Sequence, residues 1–385
     1  MTGVDLSNLP EALYCGRLDV PMDYSKPKSP ENMITLGLAM YRPHKPQGVL
    51  FVNPGGSDPA AVLAWEAALN QTSTFSGLMD YDLMMVDIRG THSSNPVNVS
   101  LDVFSALPLA YPQNQTEFDA YRQASTDIFQ SWIDSSSPPG IIEHLGTREV
   151  VQDYEQIRQA LGYKTIHFLG GSYGSYRAQQ YAFKFPDRVG HFVLDGVVPH
   201  GLTLHEKAQD AVKALNRAVL RADAYCEKDE ACPFHKGGRE SIPKAIRQIL
   251  RNVRETERSC KDNCSDTIPL AAVQSSILSG FQGQPDFEAI ANTLAGVLEG
   301  NFTTSMSGSA LSIESTVALP LECGDIAYNT FSYAQFKESL EAGLALYCSG
   351  WPFHVTPEVR TPVTHPMLLV TADFDVEYGI SKHYY

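Results

Sequence analysis

The chain has 385 residues, 43% hydrophobic and 19% charged, enough to bury a substantial core in one large domain or two smaller ones. Acidic residues outnumber basic ones by 44 to 29, a formal charge of -15, which argues against a nucleic-acid surface and against an anionic membrane as partner. No run of about 18 apolar residues occurs, so no segment reads as a membrane span, and Met1 to Leu13 lacks the basic end and apolar stretch of a signal peptide.

Apolar residues alternate at Ile34, Leu36, Leu38 and Met40, and Val49 to Val52 is a short apolar run ending in Asn53-Pro54-Gly55-Gly56. Both patterns predict strands, the second closed by a glycine turn. Leu83 to Ile88 predicts a third strand, closed by Gly90. From Arg148 to Leu161, Val150, Val151, Tyr154, Ile157 and Leu161 fall at helical spacing, with Thr147 placed to cap the start and Gly162 to end it. A strand over Thr165 to Leu169 follows, then a glycine-serine turn, a helix over Tyr176 to Phe185 stopped by Pro186, and a strand over His191 to Val198. Strands alternating with helices imply a parallel sheet covered on its faces.

The stretch 201–361 differs in texture. It has few strand-like runs and several helical ones, over Glu206 to Ala224, Ile242 to Val253 and Phe287 to Leu298. It reads as a mainly helical cap followed by a return to the core. Residues 1–200 then form the N-terminal part of the core. Residues 362–385 supply a last core strand, Met367 to Val370, and an acidic loop that reads as truncated.

The turn Gly170-Gly171-Ser172-Tyr173-Gly174 lies between a predicted strand and a predicted helix. That arrangement holds a serine hydroxyl exposed above the carboxyl end of a sheet, and glycines flank it because side chains there would collide with strand and helix. Ser172 is therefore the candidate nucleophile of an α/β-hydrolase fold, a mostly parallel sheet covered by helices with an inserted helical cap. Acyl transfer also needs oxyanion donors, a histidine base and an acid to orient it. The backbone N–H of Tyr173 and the turn at Gly55 and Gly56 are the candidate donors. Chain order in this fold is serine, acid, histidine, which selects Asp375, with Asp373 as its competing neighbour. Only ten residues follow Asp375, and the histidine among them, His383, is too close for an intervening helix and loop. His167 and His191 sit in predicted core strands and read as buried structural residues. His92 lies in a loop at a strand end, and the remaining seven histidines carry no positional argument.

The seven cysteines (Cys15, Cys226, Cys232, Cys260, Cys264, Cys323, Cys348) and five N-x-S/T sequons, at Asn70, Asn98, Asn114, Asn263 and Asn301, suit a secreted, oxidised protein. Reduced thiols and chance sequons in the cytoplasm are the alternative. The spacings Cys226-x5-Cys232 and Cys260-x3-Cys264 lack the paired half and nearby histidines of a zinc site, so no metal is expected. No other cofactor is expected, and no feature points to an oligomeric state.

Several segments recur in a familiar order: Cys15 to Tyr24 (CGRLDVPMDY), LFVNPGG at 50 to 56, VDIRGTHSS at 86 to 94, IRQALG at 157 to 162 and the run from Phe168 to Val198. Leu321 to Asp325 (LECGD), Cys348 to Pro352 (CSGWP) and PMLLVTADFD at 366 to 375 complete the series. Together they resemble the tripeptidyl-aminopeptidase-like branch of the prolyl aminopeptidase family of α/β-hydrolases. The resemblance implies a serine hydrolase that removes short peptides from free N-termini, or cleaves related amides or esters, with Ser172 as nucleophile and Asp375 as acid. It also implies a Cys323–Cys348 disulfide. Glu322 is a candidate partner for a substrate ammonium group. Two departures stand out: the family's PGGPG run reads Pro54-Gly55-Gly56-Ser57-Asp58, and the family's histidine lies further beyond the acid than this sequence runs. The competing expectations are a truncated or catalytically impaired hydrolase-fold protein lacking its histidine, and a tailoring hydrolase for a small metabolite.

Overall fold

The computed structural model describes residues 9–100, 107, 112–200, 204–259, 270–282, 285–301, 313–326, 332–338, 348–355 and 362–370. Among them a sheet of seven strands runs in the order β1-β2-β4-β3-β5-β6-β7. These are β1 (Leu13–Pro21), β2 (Met33–Tyr41), β3 (Val49–Asn53), β4 (Asp82–Val86), β5 (Ile166–Gly171), β6 (Val189–Asp195) and β7 (Met367–Val370). β1 and β2 pair antiparallel, as do β2 and β4; every later pairing is parallel.

β3 and β4 are buried throughout, and their side chains divide by parity. Val49, Phe51, Met84 and Val86 face one side, where they pack with α2 (Gln115–Ser135), α3 (Thr147–Leu161) and α4 (Tyr173–Lys184). Leu50, Val52, Leu83 and Met85 face the other, against Ala64 and Ala67 of α1 (Ala61–Ala68). A period of two on strands buried on both faces is the mark of a sheet sandwiched between helix layers.

After β6 the chain forms α5 (Leu204–Lys228), α6 (Ser241–Ser259), α7 (Leu270–Gly280) and α8 (Phe287–Leu298). These helices enclose a hydrophobic cluster of their own, built on residues such as Ala218, Ile249, Val273 and Leu294. A Cys226–Cys232 disulfide closes the end of α5. The next helix, α9 (Ile313–Asp325), instead places Val317, Leu321 and Cys323 in the main core, as α10 (Tyr333–Glu338) does with Phe336. The Cys323–Cys348 disulfide implied by the resemblance is present.

Three local expectations need correction. β4 ends at Val86 rather than Ile88, because Asp87 turns its carboxylate to Ser93 and to the Ala61 N–H at the head of α1. Thr147 does not cap α3 but is its first helical residue; the capping acceptor is the Asp325 carboxylate, delivered by α9 to the Thr147 N–H at 2.6 Å. Gly162 does end α3, in the left-handed conformation at φ 76°. His191 is exposed, not buried, since residues along β6 alternate faces.

Candidate active site

At Ser172 the chain turns from β5 into α4 with φ 47° and ψ -126°. A residue with a side chain held there costs on the order of 1–3 kcal/mol, so the surroundings must impose it. The Ser172 N–H donates to the Asp195 carbonyl at 2.9 Å, and its own carbonyl accepts from the Ser175 N–H and Oγ at 2.9 and 2.6 Å. Ser175 Oγ accepts in turn from the Val198 N–H at 2.9 Å, which ties the first turn of α4 to the segment leaving β6. A Cβ on Gly170 would stand 2.6 Å from the Gly174 carbonyl oxygen, and one on Gly174 would run into Asn53. The flanking glycines thus do what the motif requires, and Ser172 is left half-buried at the carboxyl edge of the sheet.

The Gly55–Gly56 turn lies directly beside this serine. A Cβ on Gly55, whose φ is 112°, would sit 2.7 Å from Ser172 Cβ and 3.1 Å from the Tyr173 nitrogen. Tyr173 N–H heads α4, where helix geometry supplies no internal acceptor. The structure therefore brings the three expected elements together: the serine, the glycine turn and the N–H that follows the serine. The turn is held from below by Arg177, which donates to the Gly56 carbonyl at 2.9 Å and to Asn53 Oδ1 at 3.0 Å. Asn53 Oδ1 also accepts from the Gly55 N–H at 3.1 Å, while its Nδ2 donates to Tyr154 Oη at 3.0 Å. Where the family run would continue with proline and glycine, Ser57 is buried and its carbonyl meets His92 Nε2 at 2.9 Å.

Tyr173 packs its ring under the Arg177 guanidinium, 5.0 Å away, and beside Tyr176 at 5.1 Å. Its phenol donates to Asp325 Oδ2 at 2.7 Å. Asp325 also accepts from the Thr147 hydroxyl at 2.6 Å, so one carboxylate serves both α3 and α4. Burial pushes the Asp325 carboxyl up to about 6, even though Thr147, Tyr173 and the positive Arg177 pull the other way. The carboxyl is enclosed, while part of the residue's surface borders a cleft of about 130 Å³ between α3 and α4. Burial, then the charge of Asp325, raises the Tyr173 phenol well above its ordinary range; Glu322 adds to the same effect.

Asp375, Asp373 and His383 lie outside the described residues. His167 stands at the start of β5 and accepts from the His191 N–H at 3.0 Å, so both histidines are roughly 16 Å along the strands from the serine turn, at ~3.3 Å per residue. His200 stacks on Tyr176 with ring centres 4.0 Å apart, and its ring nitrogens meet Gln180 and the Tyr176 carbonyl. Asn53, Arg177 and Asp325 were not singled out in the sequence. Arg177 had a signal: it is an arginine on a helix face otherwise made of Tyr173, Ala178, Tyr181 and Ala182, and all five are buried.

Residues 49–234 match the family described as the alpha/beta hydrolase fold. A tripeptidyl aminopeptidase of Streptomyces lividans is 32% identical over 198 residues, 50% of this chain and 36% of that protein. The serine protease Hip1 of Mycobacterium tuberculosis is 31% identical over 232 residues, 59% of this chain and 44% of that protein. A putative hydrolase of Escherichia coli, YuaR, is 24% identical over 376 residues, covering 90% of this chain and 72% of its own length. The chain therefore spans less than half the length of the first two relatives. Residues 49–234 carry the alpha/beta hydrolase fold, and the proteins to which this chain is similar include a tripeptidyl aminopeptidase and a serine protease, as the sequence resemblance implied.

Proposed function

We propose that the protein is a serine hydrolase that releases short peptides from free N-termini, or cleaves related amides or esters, through an acyl-enzyme on Ser172. The observation that carries this is the placing of Ser172 at φ 47° with both the Gly55–Gly56 turn and the Tyr173 N–H against it. Ser172 Oγ attacks the substrate carbonyl and gives its proton to a histidine base oriented by Asp375. The carbonyl oxygen gains the negative charge and is held by the Tyr173 N–H and the glycine turn. The amine or alcohol leaves with that proton, and water then hydrolyses the ester on Ser172. Glu322, whose charge reaches Tyr173, offers a carboxylate at this end of the core for a substrate ammonium group. In this reading 1–200 and 362–385 make the core and 201–361 the cap and the return.

A fluorophosphonate probe tests the serine. Labelling of the parent protein and its loss in Ser172→Ala are expected; a parent that stays unlabelled overturns the proposal. A second reading, a hydrolase-fold protein without a working base, is favoured by one observation: His92 and His200, in loops at this end of the sheet, are both committed to other contacts.

The protein is further proposed to be secreted. Two disulfides and the exposure of Asn70, Asn98, Asn114 and Asn301 support this. Mass spectrometry of protein from its native host should find glycan on one or more of these asparagines; unmodified asparagines with free thiols throughout would place it in the cytoplasm instead. No helix among the described residues is long and apolar enough to cross a membrane.

A further inference from the structure

We infer that Asp325 is a positioning residue for acyl transfer, acting through the Tyr173 phenol to aim the Tyr173 N–H at the oxyanion. It rests on Ser172 being the nucleophile. The two sides of the oxyanion site are held by one connected set of side chains. On one side Arg177 binds the Gly56 carbonyl and Asn53. Its guanidinium then lies over the Tyr173 ring, and the phenol of that ring ends on Asp325. Tyr173 has two points of attachment, a backbone nitrogen at the head of α4 and an oxygen on α9. With the oxygen fixed and the ring wedged between Arg177 and Tyr176, the residue has little freedom to tilt its N–H away.

The far end of this chain of contacts is rigid. Asp325 is two residues beyond Cys323, whose disulfide to Cys348 fixes the last turn of α9, and its carboxylate is also bonded to the backbone and hydroxyl of Thr147. Through Asp325, α9 thus reaches the Tyr173 side of the oxyanion site by way of the phenol. A hydrogen bond to a buried carboxylate strengthens the hold on its donor and, once removed, leaves a buried group without its partner.

The test is the labelling rate of Ser172 by a fluorophosphonate over a range of probe concentrations, in the parent, Asp325→Ala, Tyr173→Phe and the double variant. Each single variant is expected to lower the saturated rate about 10- to 100-fold, the range for losing one hydrogen bond to a buried charge, while half-saturation moves less than about twofold. The double variant should be no slower than the slower single one, because both substitutions break the same link. Tyr173→Phe removes one oxygen and keeps the ring, so circular dichroism and melting should show it folded even if Asp325→Ala is not. Parent-like labelling of Tyr173→Phe, or independent effects that multiply in the double variant, would overturn the inference alone. A parent that does not label overturns both this and the reading of Ser172.

Discussion

The Asn53 amide uses both of its ends: Nδ2 donates to Tyr154, and Oδ1 accepts from Gly55 and Arg177. Asn53→Leu keeps the volume and strips all three bonds, leaving Arg177, 1% exposed, short of a partner. A loss of about 3 kcal/mol in urea unfolding is expected, along with slower labelling of Ser172. Asp325 gives a pH-dependent counterpart. Its carboxyl titrates at about 6 in the folded protein and near its ordinary, lower value when unfolded, so between the two the folded state holds the extra proton. Its contribution therefore weakens as pH rises through that window. Relative to Asp325→Asn, the parent should be more stable at pH 4.5 than at pH 7.5; an unchanged difference would show that the carboxyl is not raised. At this scale the sequence displayed Ser172, Tyr173, Gly55 and Gly56, because a turn motif is local. Asn53, Arg177 and Asp325 act mainly through contacts 101 to 178 residues apart in sequence, where no local pattern can register them.

Among the elements, the strands of the parallel region were legible because they are apolar and short and are closed by glycine or proline. β1 was not: its middle, Tyr14 to Leu18, is largely exposed, so the alternation that betrays a half-buried strand is missing. α2 is absent from the sequence expectations as well, although Asn114 caps it through the Glu117 N–H and Phe118, Tyr121, Ile128, Phe129 and Trp132 line its buried face. The start of α3 shows how tertiary contact can replace a local cap. Asp325 supplies the acceptor that a residue before the helix would ordinarily supply, and the disulfide holds that acceptor in place. Replacing Cys323 and Cys348 together by serine should cost about 3.5 kcal/mol in denaturant unfolding, the chain-entropy value for a closed loop of this length. The same double variant should label more slowly if α9 steadies Tyr173.

Over the whole molecule, the helices α5 to α8 hold a hydrophobic cluster separate from that of the sheet. Leu294→Ala in that cluster is expected to cost about 2–5 kcal/mol locally. Hydrogen exchange should quicken across α5, α6 and α8 but not across β3 and β5. Ser172 labelling should stay near the parent rate; global acceleration would mean that cap and core unfold as one unit. The separation has a temporal side. β3, β5 and β6, which frame the serine turn, come from residues 49 to 195, whereas β7 pairs with β6 only after the chain has passed through 196 to 366. Loop-closure entropy makes that pairing the slower event. A chain emerging during synthesis can thus finish its serine turn well before β7, and the proposed acid beyond it, arrives. Under the proposed mechanism, the hydroxyl stands until then without the group that would orient its base, so hydrolytic competence would wait until the sheet is complete.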